Sequence, residues 1–282
     1  MANPITEPVR LWHQSMTELA GLGTYRSRLQ AHAAELFGSS VALDVHGLAP
    51  GSYGGVAPTE VLGYPYIHHL VSRQALAAAR TAERHGYDAF VVGSFSEPLL
   101  RELRSAVDIP VVSLNESTLL IACSLGRRTA FVANAPSVAA LVSASVDRHE
   151  LTARVAGVYS IEPGLTEPEL MSADPAAVLE AFTSLGRRLA AGGADVLVPA
   201  EGVMCEVLHE TQLYEIDGVP VLDSVGVTWR HAVLLIALWR SGMRASRRRT
   251  YPRADADAVR RIEDATGIVS AEGEQASTRQ ES

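Results

Sequence analysis

Two polar residues hold matching places in an internal repeat of this chain, and their types suit proton-transfer chemistry. Residues 86–94 and 193–201 share one order: a Gly-x-Asp turn, an apolar strand, and then a polar residue, Ser94 in the first copy and Glu201 in the second. Further along each copy, a proline opens another predicted strand (Pro110 and Pro220). The matched order indicates duplication of a unit, rather than a turn that recurs in any α/β protein.

The repeat predicts that these two residues share a cleft. Strands alternate with helical segments along the chain, a pattern typical of parallel sheets with helices on both faces. Ligands of open α/β sheets bind outside the carboxyl ends of the strands. Two facing halves would bring those ends to one crevice, so we expect Ser94 and Glu201 to face each other across it.

The side chains suggest different roles in that cleft. A carboxylate serves as a base toward a carbon acid if the carbanion is also stabilised, so Glu201 is the predicted acid/base group. A serine hydroxyl is a poor base without a partner but donates a good hydrogen bond. Ser94 is therefore predicted to hold a carboxylate or enolate oxygen, helped by backbone amides at the following helix start. A purely structural role for Glu201, as an N-cap or first-turn helix acid, is an equally weighted alternative.

Other residues at strand ends, or next to Ser94, are candidates for binding the substrate. They are Gln14, Ser15, His46, Phe95, Asn115, Glu116, Asn134 and Asp223. Structural roles compete at several of these positions: loop capping for Gln14 and Ser15, a structural histidine at 46, and helix capping at 115 and 116.

The predicted fold class is α/β: two similar Rossmann-like α/β/α halves related by a pseudo-twofold axis, with the active site in the cleft between them. Apolar runs predict strands over residues 9–12, 41–45, 89–92, 111–114, 129–133, 155–160, 196–199 and 219–222. The first half is expected to span 1–115, completed by 225–265, and the second to span 116–224. Residues 266–282 are expected to be a disordered tail.

Composition argues against several classes of partner and cofactor. The net charge of -8 predicts no nucleic-acid partner, and no apolar window is long enough for a membrane span. The chain contains no lysine, which excludes Schiff-base chemistry and a Walker-type phosphate site. No Gly-rich dinucleotide fingerprint and no zinc-like ligand spacing are found, so we expect neither a cofactor nor a metal. The expected partners are a small-molecule substrate and further copies of the chain.

The cysteines and the N-terminus bear on localisation. Two cysteines, Cys123 and Cys205, do not make a disulfide framework, and the first residues do not resemble a signal peptide. We therefore expect a cytoplasmic protein. Cys123 sits in an apolar run and is expected to be a small buried hydrophobe.

Four segments of the chain resemble the aspartate/glutamate racemase superfamily, and its hydantoin racemase branch most of all. Residues 88–98 resemble the first active-site segment, and residues 193–204 resemble the second cysteine segment. Residues 114–117 resemble the loop between the halves, and residues 10–15 the first strand with its substrate-holding loop. The likeness covers most of residues 9–240.

The resemblance implies two cysteine thiolates, one on each side of the substrate, that remove and return a proton at a carbon acid. Here Ser94 occupies the first of these positions and Glu201 the second, and neither cysteine of the chain falls on either. We therefore predict a cofactor-independent isomerase (a racemase, epimerase or tautomerase) that acts on a small carbon acid such as a carboxylate or cyclic amide. The alternatives are a lyase of the same fold, a decarboxylase or dehydratase working through an enolate, and a non-catalytic small-molecule-binding homologue.

Overall fold

The computed structural model describes residues 8–172 and 174–266. The strands in these ranges are β1 (Val9–Ser15), β2 (Val41–His46), β3 (Ala89–Gly93), β4 (Val111–Ser113), β5 (Thr129–Ala133), β6 (Val155–Ser160), β7 (Val196–Pro199), β8 (Glu215–Ile216) and β9 (Val219–Pro220). The helices are α1 (Gly23–Phe37), α2 (Pro58–Val61), α3 (Pro65–Arg84), α4 (Leu100–Ala106), α5 (Leu114–Leu125), α6 (Pro136–Arg148), α7 (Glu167–Ser172), α8 (Pro175–Ala191), α9 (Gly202–Glu210), α10 (Ser224–Arg240) and α11 (Ala256–Thr266). Short 3-10 turns lie at Leu19–Gly21 and Thr152–Arg154.

The two main sheets are parallel and repeat one strand order. The first runs β2-β1-β3-β4, and the second runs β6-β5-β7. A parallel bridge between Leu197 of β7 and Val221 puts Val221 at the fourth strand position of the second sheet. Because each position in one sheet has a counterpart in the other, the predicted α/β class with two similar halves is confirmed.

The Gly-x-Asp turns of the repeat make the same hydrogen bond to the backbone in both halves. The Asp88 carboxylate accepts the Arg10 N–H at 2.8 Å, and the Asp195 carboxylate accepts the Arg128 N–H at 3.0 Å. The glycine two residues before each aspartate has a positive φ, +71° in the first turn and +89° in the second, a conformation that glycine adopts at little cost. Each aspartate thus ties the start of its own strand to the central strand beside it.

The continuous apolar run in β3 reflects burial on both faces of the first sheet. Ala89 and Val91 belong to the larger core cluster, which also contains the second sheet. Phe90 and Val92 face the other way, into a smaller cluster under α3 and α4. Since successive strand residues point to opposite faces, a strand covered on both sides needs apolar residues at every position.

The strand predicted at 219–222 is shorter in the structure. Only Val219 and Pro220 form a strand, and they pair antiparallel with β8. Val221 makes a single parallel bridge. Pro220 has no N–H to give to a ladder, which limits regular pairing at this place.

The predicted strand at 111–114 ends one residue early. The strand stops at Ser113, and Leu114 begins α5, so residues 114–117 form a first helical turn rather than a loop between the halves. The Glu97 carboxylate accepts hydrogen bonds from the Ser113 hydroxyl and the Glu116 N–H. A distant carboxylate therefore takes the place of a local N-cap side chain at this helix start.

The C-terminal part of the described chain returns to the first half. Helix α10 packs against α5, β3 and β4. The predicted domain boundaries stay a prediction, and the predicted tail at 266–282 lies outside the described residues except for Thr266. Among the described helices, none combines the length and the apolar character that crossing a membrane requires.

Candidate active site

A cavity, partly open to solvent, lies where strands of both sheets end. Ser15 and Gly93, the last residues of β1 and β3, line it from the first half. Ser94 follows Gly93 on that side, and Glu201 lines the cavity from the second half, just past β7. The structure therefore brings Ser94 and Glu201 to one cavity between the sheets.

Glu201 is held in a fixed orientation at the start of α9. Its residue is the N-cap of that helix: Oε1 accepts the Val203 N–H at 3.0 Å, and Oε2 accepts the Met204 N–H at 2.7 Å. The capping role that competed with the catalytic one is thus present, in a residue that also lines the cavity. A carboxylate offers about four lone-pair sites, and these two N–H bonds use two of them.

Ser94 belongs to a chain of hydrogen-bonding side chains. Its Oγ lies 3.0 Å from the Ser96 Oγ and accepts the Ser96 N–H at 3.3 Å. The Ser96 Oγ in turn lies 3.0 Å from Nε2 of His68, in the first turn of α3. Burial lowers the pKa of His68, and the charges of Arg148 and His69 lower it further. The Ser94 hydroxyl therefore has an imidazole at the end of its chain, which the sequence did not suggest.

The loop that carries Ser94 is anchored by the buried Glu97. The Glu97 carboxylate accepts hydrogen bonds from the hydroxyls of Ser113 and Ser145 and from the Glu116 N–H, the last at 2.7 Å. His149 Nε2 lies 2.5 Å from it, and this hydrogen bond raises the pKa of His149. Because its carboxylate accepts hydrogen bonds from β4, α5 and α6, Glu97 fixes the position of the loop.

Two of the predicted substrate-binding residues line the cavity, whereas two others, Gln14 and His46, do not. Ser15 and Phe95 are lining residues. Gln14 is turned away: its Oε1 accepts the Trp12 indole N–H at 3.0 Å, and its Nε2 donates to the Ser15 carbonyl at 3.0 Å. His46 stacks on Trp12 with ring centroids 3.4 Å apart and does not line the cavity.

Three further candidates lie outside the cavity lining: Asn115 and Asn134 are buried, and Glu116 is half-buried. Asn115 is fully buried in the first turn of α5, and its amide N and O have no hydrogen-bond partner among the described residues. Glu116 pairs with Arg104, which, against the effect of burial, lowers the pKa of Glu116. Asn134 donates from Nδ2 to the Leu165 carbonyl at 2.8 Å.

Asp223, the last candidate, lies in a separate buried cluster beside a second, smaller cavity. It caps α10, and its Oδ2 lies 3.2 Å from His32 Nε2. The other ring nitrogen of His32 lies 3.1 Å from Glu206. Although burial opposes the charged form, the hydrogen bonds to both carboxylates raise the pKa of His32 to about 9. At neutral pH the cluster therefore holds a protonated His32 between the carboxyl groups of Glu206 and Asp223.

The same cluster contains the residue types that bind metals. Ligand atoms of His32, His209 and Asp223 lie within 4.8 Å of one another. The two imidazole rings, however, stack with centroids 3.4 Å apart and planes inclined by 17°. A metal binds an in-plane lone pair of neutral imidazole, and stacked rings do not aim two such lone pairs at one point. We interpret the cluster as an ion-pair network and assign no metal to it.

Neither cysteine is placed to act as a thiolate in the cavity. Cys205 is buried, and its Sγ–H donates to the Pro199 carbonyl at 3.2 Å. Burial raises the pKa of Cys205, and the carboxylate of Glu201 adds to the effect. Cys123, expected to be buried, is only partly so. Because the thiolate is the reactive form of cysteine, proton transfer in the cavity falls to other side chains.

Sequence reasoning missed several lining residues. Met16 and Thr17 continue from the end of β1, and this strand-end position could have indicated them. Tyr25 comes from α1 and Pro58 and Leu62 from the segment between β2 and α3, where no sequence signal marks them. The lining residues of the described chain include no arginine and no histidine, and Glu201 carries their only formal charge.

The fold defines a class of α/β protein with two similar halves and a cavity at the strand ends of both. The family model described as Asp/Glu/Hydantoin racemase matches residues 61–232. The match covers more than half of the chain, and the chain belongs to this family.

Individual relatives agree with this assignment. The chain is 27% identical, over 199 residues, to a hydantoin racemase of Pseudomonas sp. (strain NS671), covering 70% of this chain and 76% of that protein. Its fold matches an allantoin racemase from Klebsiella pneumoniae with a TM-score of 0.70 at 18% identity, covering 88% and 94% of the two chains. It also matches an arylmalonate decarboxylase with a TM-score of 0.54 at 18% identity, covering 80% and 92%.

Proposed function

We propose that this chain is a cofactor-independent isomerase that moves a proton at the carbon of a neutral cyclic amide of the hydantoin type. The observation that carries the proposal is the meeting of Ser94 and Glu201 in one cavity, each from a different half of the fold. Membership of the racemase family and the hydantoin racemase relative support the reaction class.

In this proposal Glu201 is the acid/base group. Its carboxylate takes the proton from the carbon next to a carbonyl, and the electron pair of the broken bond moves into an enolate. The Ser94 hydroxyl donates a hydrogen bond to the negative charge that develops. A positioned general base contributes about 10²–10⁴-fold to such a rate, and an oxyanion donor about 10²–10³-fold.

The charge of the cavity favours an uncharged substrate over a carboxylate. A substrate carboxylate about 4 Å from Glu201 would meet a repulsion of about 4 kcal/mol at an effective dielectric constant near 20. No arginine or histidine in the described lining offsets it. The hydroxyls of Ser15 and Thr17 suit the carbonyl and N–H groups of a neutral ring.

The apolar part of the lining suits a substituent on the ring carbon. These residues come from both halves and from the segment before α3: Met16, Pro58, Leu62, Phe95, Leu114, Val138, Leu141 and Val203. Burying an apolar side chain there contributes about 1.5–3 kcal/mol to binding. We therefore infer that a ring with an apolar substituent binds more tightly than the unsubstituted ring.

A lyase is the second candidate, because the fold also matches an arylmalonate decarboxylase. A decarboxylase of this fold would form an enolate in the same cavity, held by Ser94 and backbone amides. The repulsion between Glu201 and an anionic substrate makes this the weaker proposal. A non-catalytic binding protein would keep the cavity without either reaction.

The proposed setting is the cytoplasm, as the sequence predicts. Both cysteines are free thiols, which is consistent with a reducing compartment. The oligomeric state stays a prediction.

Proton exchange with solvent distinguishes the three candidate functions: isomerase, lyase and non-catalytic binding protein. The protein is incubated in D₂O with enantiopure 5-substituted hydantoins, amino acids and aryl-substituted malonates, beside enzyme-free controls. The proposal expects deuterium at the ring carbon of the hydantoin and loss of optical activity, without loss of mass. Release of carbon dioxide from a malonate would support the lyase instead, and binding without exchange would overturn the enzymatic reading.

A further inference from the structure

Racemisation requires a proton to leave one face of the substrate carbon and another to arrive on the opposite face. Glu201 supplies one acid/base group in the proposed function. Ser94, on the other half of the fold, has a hydroxyl that needs a partner before it can transfer a proton. The structure gives it one through two contacts: Ser94 Oγ to Ser96 Oγ at 3.0 Å, and Ser96 Oγ to His68 Nε2 at 3.0 Å.

We propose that Ser96 and His68 form a proton path that makes Ser94 the second acid/base group of the site. Ser94 would touch the substrate carbon, while Ser96 and His68 act through it as positioning residues. This inference rests on the proposed function and gives Ser94 a larger part in it than donating a hydrogen bond.

The path balances protons and electrons in both directions. When Ser94 removes the substrate proton, the C–H bond breaks and its electron pair forms the enolate. The proton goes to the Ser94 Oγ, the former Ser94 proton goes to the Ser96 Oγ, and the former Ser96 proton goes to His68 Nε2. Protonated Glu201 then gives its proton to the other face of the carbon. The enzyme is left with a Glu201 carboxylate and a His68 imidazolium, the form that handles the opposite enantiomer.

The surroundings of His68 suit a proton acceptor. Burial lowers its pKa, and Arg148 on α6 and His69 on α3 act in the same direction, which favours the neutral imidazole, the form that accepts a proton. Glu97, next to Ser96 in the chain, is held by α5 and α6 and by His149. These contacts leave the Ser96 hydroxyl as the hydrogen-bonding partner of the His68 ring.

The path is also fixed in place. Ser96 is 8% exposed, and its carbonyl accepts the Arg148 Nη2 at 2.7 Å. The His68 carbonyl accepts the hydroxyl of Ser72 at 2.5 Å, one turn further along α3. A path held at both ends keeps its oxygen–oxygen and oxygen–nitrogen distances within hydrogen-bond range.

The test compares the variants Ser96→Ala and His68→Asn in D₂O, using each pure enantiomer of a 5-substituted hydantoin. Both variants break the path and leave Glu201 untouched. Racemisation should fall about 100-fold in each, and the double variant should be no worse than either single one, because the residues act as a unit. Deuterium exchange should persist near the wild-type rate for one enantiomer, the one whose proton faces Glu201.

His85→Asn is the matched control, since the exposed His85 lies at the C-terminal end of the same helix. It should racemise at close to the wild-type rate. Wild-type racemisation by Ser96→Ala and His68→Asn, or an equal loss of exchange for both enantiomers, would overturn the proton path. Failure of the proposed function is distinguishable, because the wild-type protein would then show no exchange with any hydantoin.

Discussion

The Ser94 hydroxyl and the Glu201 carboxylate reach one cavity from the carboxyl ends of strands in different sheets. Neither side chain is a cysteine, and the one cysteine in the same helix as the Glu201 cap, Cys205, is buried as a thiol. We therefore assign proton transfer in the proposed function to a hydroxyl and a carboxylate that the duplicated fold holds in place.

Ser94→Ala should lower kcat for hydantoin racemisation by about 100-fold, because it removes the hydrogen-bond donor at the developing charge and cuts the chain to Ser96. KM should change little, since the apolar lining that binds the substrate remains. Steady-state polarimetry gives both constants. Ser40→Ala, at an exposed site, is the control, and a Ser94→Ala variant with wild-type kcat would remove Ser94 from the site.

Gly93→Ala should destabilise the fold by about 1–3 kcal/mol, the usual cost of overpacking. An added Cβ would meet the His13 ring and lie 2.9 Å from the Gln14 carbonyl, and both of those residues are buried. Urea unfolding measures the change. Gly23→Ala should cost nothing, since a Cβ there meets no atom within 4 Å. Equal stability of the two variants would show that the strand end before Ser94 has room for a Cβ at position 93.

His32→Gln should make stability less dependent on pH between about 6.5 and 9. In the wild-type protein the folded state raises the pKa of His32 to about 9 from 6.5. The stabilisation is therefore full below pH 6.5 and is lost as pH rises through 9. We expect the variant to be less stable than wild type by about 1–3 kcal/mol at pH 6, and this difference to shrink by pH 9.5.

Thermal unfolding across this pH range checks the prediction, with His85→Gln as the control at an exposed histidine. A His32→Gln difference that stays constant from pH 6 to pH 9.5 would mean that His32 is uncharged between Glu206 and Asp223.

Much of the fold could be read from local sequence. Apolar runs such as β3 and β7 marked buried strands, and the Gly-x-Asp turns marked the repeat, because hydrophobic burial and glycine conformations are local requirements. The strand ends then pointed to Ser94, Glu201, Ser15 and the cavity they line. The errors at Leu114 and at residues 219–222 arose where a distant carboxylate or a proline decided the local structure.

The partners of the site residues could not be read in this way. His68 reaches Ser96 from α3, Tyr25 reaches the cavity from α1, and His32 meets Asp223 across 191 positions of sequence. Such contacts depend on how helices pack on the two sheets, and packing is set by many residues at once. The strand-end candidates Gln14 and Asn134 bond to their own surroundings for the same reason.

The role of Glu201 as the acid/base group is tested by Glu201→Gln, followed by racemisation of an enantiopure 5-substituted hydantoin. Glutamine keeps one of the two oxygens that cap α9 and loses the other cap hydrogen bond, so the fold should lose about 1–2 kcal/mol, which thermal unfolding checks. Glu102→Gln, at an exposed site, is the control. We expect Glu201→Gln to racemise the hydantoin at least about 100-fold more slowly than wild type, because the general base is lost. Racemisation by folded Glu201→Gln at the wild-type rate would contradict this role.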